Sequence, residues 1–121
     1  MDDWTEEDLK NAILDASELL EKEKLKFYQE RGSATWSPEK SGYFTALESI
    51  QNDFLNASLG FFESTCIGAG VEALKKIVRE IRDKWKHTRN VYNIGKGGGW
   101  AKGHVSAIDW TFKKFEWISR A

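Results

Sequence analysis

Residues 4–20 read Trp4-Thr5-Glu6-Glu7-Asp8-Leu9-Lys10-Asn11-Ala12-Ile13-Leu14-Asp15-Ala16-Ser17-Glu18-Leu19-Leu20. This stretch decides the fold class. Thr5 stands where an N-cap belongs, and Asp8 lies three residues on, within reach of the cap nitrogen. Trp4 and Leu9 occupy the positions of a hydrophobic staple. Glu6, Glu7 and Asp8 place negative charge in the first turn, where the helix dipole favours it. Leu9, Ile13, Ala16, Leu20 and Phe27 then recur at helical spacing. The pattern predicts a helix over about residues 5–31, with Gly32 as its stop after Arg31.

The same grammar repeats along the chain. Ser37 and Pro38 mark an N-cap and first helical position. Phe44, Leu47, Ile50, Gln51, Phe54, Leu55, Phe61 and Phe62 follow, which predicts a second helix over about 38–64. Gly42 and Gly60 weaken it and open room for another backbone. After Ile67-Gly68-Ala69-Gly70, a third helix carries Val71, Leu74, Val78, Ile81 and Trp85 on one face. Its expected end is His87 to Arg89, with Glu72–Lys76 and Glu80–Lys84 as supporting pairs. Asn90–Ile94 is β-compatible. Gly95-Lys96-Gly97-Gly98-Gly99 reads as a loop. Val105, Ile108, Phe112 and Phe115 then predict a last helix. The expected fold is an all-α, single-domain protein of three or four helices, with two long N-terminal helices and a glycine-rich loop before the C-terminal one.

A chain of 121 residues with 40% hydrophobic and 13% aromatic content can bury a core. Six tryptophans exceed what one small core readily covers, which predicts a protein partner or homo-oligomer. Cys66 stands alone, so no internal disulfide forms, and it reads as a buried small hydrophobe. No apolar run approaches the ~18 residues of a membrane span. The acidic opening, Met1-Asp2-Asp3-Trp4, lacks the pattern of a signal peptide. The cytoplasm and no membrane contact are expected.

Charge is the strongest functional lead. Residues 1–74 hold six Lys/Arg and fifteen Asp/Glu, a net of −9; residues 75–121 hold twelve and four, a net of +8. Such asymmetry points to nucleic acid or membrane contact. The alternative is that the two halves neutralise each other inside a compact bundle. The densest basic and aromatic stretch is 84–104. There Lys84, Lys86, Arg89, Lys96 and Lys102 are candidates for phosphate contact, and Trp100 for base stacking as an exposed aromatic. Trp85 falls on the apolar stripe and reads as core. On the acidic side, Glu18 and Glu21 are candidates for a partner-binding face that imitates a phosphate backbone.

Nothing asks for catalysis. His87 and His104 have no metal-ligand spacing with Cys66 or a carboxylate pair, and phosphate contact or plain exposure is expected of both. The glycines fit neither a P-loop nor a dinucleotide fingerprint. No cofactor, no metal and no catalytic residue is expected.

The tail reads Trp100-Ala101-Lys102-Gly103-His104-Val105-Ser106-Ala107-Ile108-Asp109-Trp110-Thr111-Phe112-Lys113-Lys114-Phe115-Glu116-Trp117-Ile118. It resembles a motif near the C-terminus of many phage replication and helicase-loader-type proteins. In that motif a Trp is followed by an apolar-Asp-Trp triplet, then Lys and a further aromatic. Ile108-Asp109-Trp110 and Lys113 match its second part. The gap from Trp100 to Asp109 is longer than the pattern, and the Lys-Val-Leu-Glu-Gly-like ending is absent. The resemblance implies a phage or mobile-element origin and a replication context. It brings no catalytic residues. Packing of Ile108 and Phe112, with Trp110 at an edge and Asp109 either capping or paired to a nearby Lys, accounts for the same residues.

Three functions follow as expectations. The first is a non-enzymatic replication-accessory protein acting on nucleic acid or a nucleic-acid-processing complex. The second is a phage-encoded inhibitor of a host defence nuclease, of anti-CRISPR or anti-restriction type. The third is an oligomeric scaffold held by its opposite charges.

Overall fold

The computed structural model describes residues 4–28, 36–63, 70–94 and 98–120, with side chains at all of these except 28, 58–63, 70 and 94. Five helices and no strand occur among them: α1 Glu6–Tyr28, α2 Pro38–Glu63, α3 Gly70–Ile94, α4 Gly98–Lys114 and α5 Glu116–Arg120. The all-α class and the two long N-terminal helices are as the sequence predicts. Gly32, Gly60 and Cys66 lie outside the residues or side chains described.

The helix starts follow the local chemistry. The Thr5 amide donates to Asp8 Oδ2 at 3.0 Å, and the Asp8 amide donates back to Thr5 Oγ1 at 3.1 Å. Two of the four orphan amides of the α1 N-terminus are thereby satisfied. Ser37 Oγ accepts from the Lys40 amide at 3.2 Å, with Pro38 opening α2.

Phe27 of α1 meets Tyr43 and Phe44 of α2, while Gln51 of α2 reaches Ser17 and Glu21. Higher numbers on one helix thus face lower numbers on the other, and α1 and α2 run antiparallel. α2 packs most extensively on α4. The core draws on every helix: Leu9, Ile13 and Leu20; Leu47, Ile50 and Phe54; Leu74, Val78 and Trp85; Ala107 and Ile108; and Ile118. Phe115, between α4 and α5, is buried as well.

Two boundaries differ from the sequence reading. α3 continues past Arg89 to Ile94. The reason is tertiary: Tyr92 packs edge-on against Trp100 and His104, at 5.5 and 5.0 Å between ring centroids, so burial extends the helix through residues of indifferent propensity. α4 also begins earlier, at Gly98, whose φ of 65° makes the turn into it. α2 lies against both Gly99 and Gly103, and at Gly103 it leaves no room for a side chain. A Cβ on Gly103 would fall inside the Glu39 carbonyl, 2.7 Å from its carbon.

The tryptophans are accounted for within the chain. Trp85 is buried, and Trp4, Trp36, Trp100, Trp110 and Trp117 are partly buried. Trp4 lies 6.0 Å from Trp117, tying α1 to α5.

Candidate functional site

The structure redistributes the six candidates of the basic segment. Lys96 lies outside the described residues. Lys84 and Lys86, two residues apart on α3, point roughly 160° away from each other. Lys84 turns to α2, where its Nζ meets both oxygens of Asp53 at 3.1 and 2.9 Å. Asp53 Oδ2 also accepts the Trp85 indole N–H at 2.7 Å. Lys84 is thus part of the seal over the core.

Arg89 turns to α4. Its Nε donates to Asp109 Oδ1, and its Nη2 to Oδ2 at 3.3 Å. The hydrogen bonds and the charge of Asp109 raise the guanidinium's pKa above its already high ordinary value. This pair clasps two neighbouring helices. Tyr92 sits beside Trp100 and His104, and Ile81 and Trp85 beside Ile108 and Phe112, so α3 and α4 are antiparallel. On α4, Lys102, Ser106, Asp109 and Lys113 follow i, i+4, i+7, i+11 spacing, and all four are exposed. On α3, Lys86 lies one turn before Arg89 and is exposed.

The result is a two-helix basic face: Lys86 and Arg89 beside Lys102 and Lys113, with Asp109 holding Arg89 in place. The α4 edge from Lys102 to Lys113 spans about 16 Å at 1.5 Å per residue. Among the described residues, Lys86, Lys102 and Lys113 have no carboxylate partner. Arg79 continues the α3 row. Along the same row Lys75 and Arg82 are only 12% and 18% exposed at the side chain and pair with Glu72 and Asp83 of the same helix. Three sequence candidates (Lys86, Arg89 and Lys102) are therefore brought together. Lys113 and the positioning role of Asp109 were not singled out for this face, although the seven- and eleven-residue spacings from Lys102 carried the signal.

Trp100 does not join that face. It sits roughly 160° around α4 from Lys102 and is partly buried. His104 stacks on one side of its indole at 4.7 Å and 25°, and Tyr92 meets its edge. His104 differs from its expected exposure: it is only 5% exposed and stands among Trp85, Tyr92 and Trp100. Burial pushes its imidazole pKa below the ordinary value, against a smaller opposing hydrogen bond with the Gly42 backbone. Its Nδ1 has no partner. His87 is exposed, as the sequence suggests.

The acidic candidates lie on the outer side of α1. Glu18 is exposed and forms no ion pair among the described residues. Glu21 accepts from Gln51 Nε2 at 2.7 Å and lies 3.4 Å from Lys24 Nζ. The Gln51 hydrogen bond, ahead of Lys24, holds its carboxyl below the ordinary carboxylate value. A groove between the end of α1 and the start of α2 is lined by Glu23, Phe27, Ser37, Glu39, Lys40 and Tyr43. Burial and Glu23 push the Tyr43 hydroxyl up to about 12, so it stays protonated near neutrality.

Among the described residues, Lys84 is the one cation of α3, α4 and α5 that pairs with a carboxylate of α1 or α2. The charge split is therefore not neutralised across the bundle. No helix among the described residues is long and apolar enough to cross a membrane. No group of three or more His, Cys, Asp or Glu among them can hold a metal ion. No protein-family model, no curated protein and no solved structure matches the chain.

Proposed function

We propose that the chain is a non-enzymatic, replication-accessory type of binding protein that engages the phosphate backbone of nucleic acid through its α3–α4 basic face. The observation that carries this reading is the side-by-side placement of Lys86, Arg89, Lys102 and Lys113, three of them unpaired. About 16 Å of duplex axis presents about five phosphates of one strand, which matches four cations in scale. The tail motif adds a phage or mobile-element context.

Binding of a labelled duplex tests the reading. Each phosphate neutralised contributes about −0.9 to the slope of log K against log salt, so the three unpaired lysines give an expected slope of about −3. Lys86→Glu with Lys102→Glu abolishes binding at low salt. A native protein that leaves the duplex unbound at low ionic strength overturns the reading.

A second reading, an inhibitor that offers an acidic helix to the basic groove of a host defence nuclease, draws on the exposed, unpaired Glu18. Inhibition of such a nuclease that survives Glu18→Lys and Glu21→Lys removes that version.

A further inference from the structure

The outer face of α1 is the counterpart of the basic face. Glu7, Leu14, Glu18, Glu21 and Leu25 fall within an arc of about 60° at 100° per residue. Leu14 is 40% exposed and Leu25 46%, two of the four large hydrophobic side chains left in water among the described residues. Glu7 and Glu18 are exposed and form no ion pair among the described residues. The opposite side of α1, with Leu9, Ile13, Ala16 and Leu20, is core. The leucine–glutamate face therefore points out of the bundle. Lys86, Lys102 and Lys113 are exposed too, and among the described residues no ion pair joins Lys86, Arg89, Lys102 or Lys113 to α1. A chain cannot bring these two faces together within itself.

We propose that the α1 outer face docks on the α3–α4 basic face of a second copy of this chain. Leu14 and Leu25 supply the apolar contact, and Glu7 and Glu18 meet Lys86, Lys102 and Lys113. The two surfaces differ, so the contact is heterologous and grows into rings or open chains rather than stopping at a symmetric pair. It uses the same cations as the nucleic-acid reading but does not depend on nucleic acid. Where both hold, duplex and second copy compete for one face.

Sedimentation velocity of the full chain tests this, with circular dichroism to show that each variant is helical. At about 0.01 M ionic strength, where the Debye length is about 30 Å, the native chain sediments as species of two or more copies; at about 1 M the weight-average mass falls toward the monomer. Glu7→Lys with Glu18→Lys gives a monomer, as does Lys86→Glu with Lys102→Glu. Mixing these two variants restores association, because each keeps the native face the other lacks. The α1 variant still binds duplex and the α3–α4 variant does not, so failure of the nucleic-acid reading shows separately from failure of this one. A native monomer at low salt, association that survives both variants, or a mixture that stays monomeric overturns the proposal.

Discussion

The backbone carbonyl of Trp100 rests directly on Gly42, where a Cβ would lie 2.8 Å from the carbonyl carbon. The relationship is reciprocal, because Gly103 faces the carbonyl of Glu39 three residues before Gly42. α2 and α4 cross where each offers a glycine to the other's backbone. Helix propensity alone predicts that alanine at either position stabilises by up to about 1 kcal/mol. The crossing predicts the opposite sign. Gly42→Ala and Gly103→Ala each force the helices apart and destabilise by about 1–3 kcal/mol, as overpacking does. Urea midpoints give the sign directly. Gly99→Ala is the control, since its Cβ would meet only ordinary contacts at 3.5 Å.

His104 predicts a pH dependence. Its folded pKa is depressed, so the fold favours the neutral imidazole. The stabilisation is fully present above the ordinary histidine value of about 6.5 and is lost as pH falls through the folded value. Glu21 acts lower down, below the ordinary carboxylate range, because its folded pKa is lowered too. The urea midpoint is expected to fall between pH 7.5 and 5, and His104→Phe is expected to remove most of that slope. An unchanged slope in the variant contradicts the assignment. NMR titration of the imidazole reads the depression directly.

The parts of the structure legible in the sequence are those set by local chemistry. Thr5 with Asp8, and Ser37 with Pro38, announce helix starts that short hydrogen bonds make in place. The stripe from Leu74 to Trp85 gives α3 its buried face. What was not legible depends on partners distant in sequence. Nothing near Asn90–Ile94 says helix; Tyr92 settles it by packing on Trp100 and His104. Gly98 and Gly99 read as part of a loop because glycine is a poor helix former in isolation, whereas Gly98 makes the turn into α4 and α2 fills the space beside Gly103. The basic segment misled for a related reason. Lys84, Lys86 and Arg89 are close in sequence, yet 100° per residue sends Lys84 to Asp53 and Arg89 to Asp109, leaving Lys86 between them. Lys113, distant in sequence, belongs to the face that adjacency assigned to Lys84 and Trp100.

Asp53 is expected to matter more for stability than its position near the surface implies. It accepts from the indole of Trp85, which is 5% exposed, as well as from Lys84. Asp53→Ala leaves that buried N–H without an acceptor, a loss of about 1–3 kcal/mol. Lys84→Ala removes only a largely exposed ion pair, worth about 0–1 kcal/mol. Urea unfolding of both variants and of the double variant separates the two contributions. Equal losses in the single variants contradict the ranking. Duplex binding is expected to be unaffected by Lys84→Ala, since this lysine stands apart from the basic face.

Asp109 is the sharpest probe of how the basic face works. It occupies the guanidinium of Arg89 and places a negative charge between Lys102 and Lys113. A surface pair of this kind contributes about 0–1 kcal/mol to stability, so Asp109→Asn leaves the fold nearly unchanged. Its effect on phosphate contact is larger and opposite in direction. Removing the carboxylate raises the charge of the face by one and frees Arg89 for a phosphate. Duplex affinity is expected to rise, and the salt slope to steepen by about one unit of phosphate contact. Arg89→Gln is expected to lower affinity little in the native background and more in the Asp109→Asn background, because only there is the guanidinium free. If instead Asp109→Asn weakens binding, the carboxylate's value lies in orienting Arg89 toward the ligand, and the pair acts as a unit. The double-mutant cycle distinguishes the two, with coupling of opposite sign in each case.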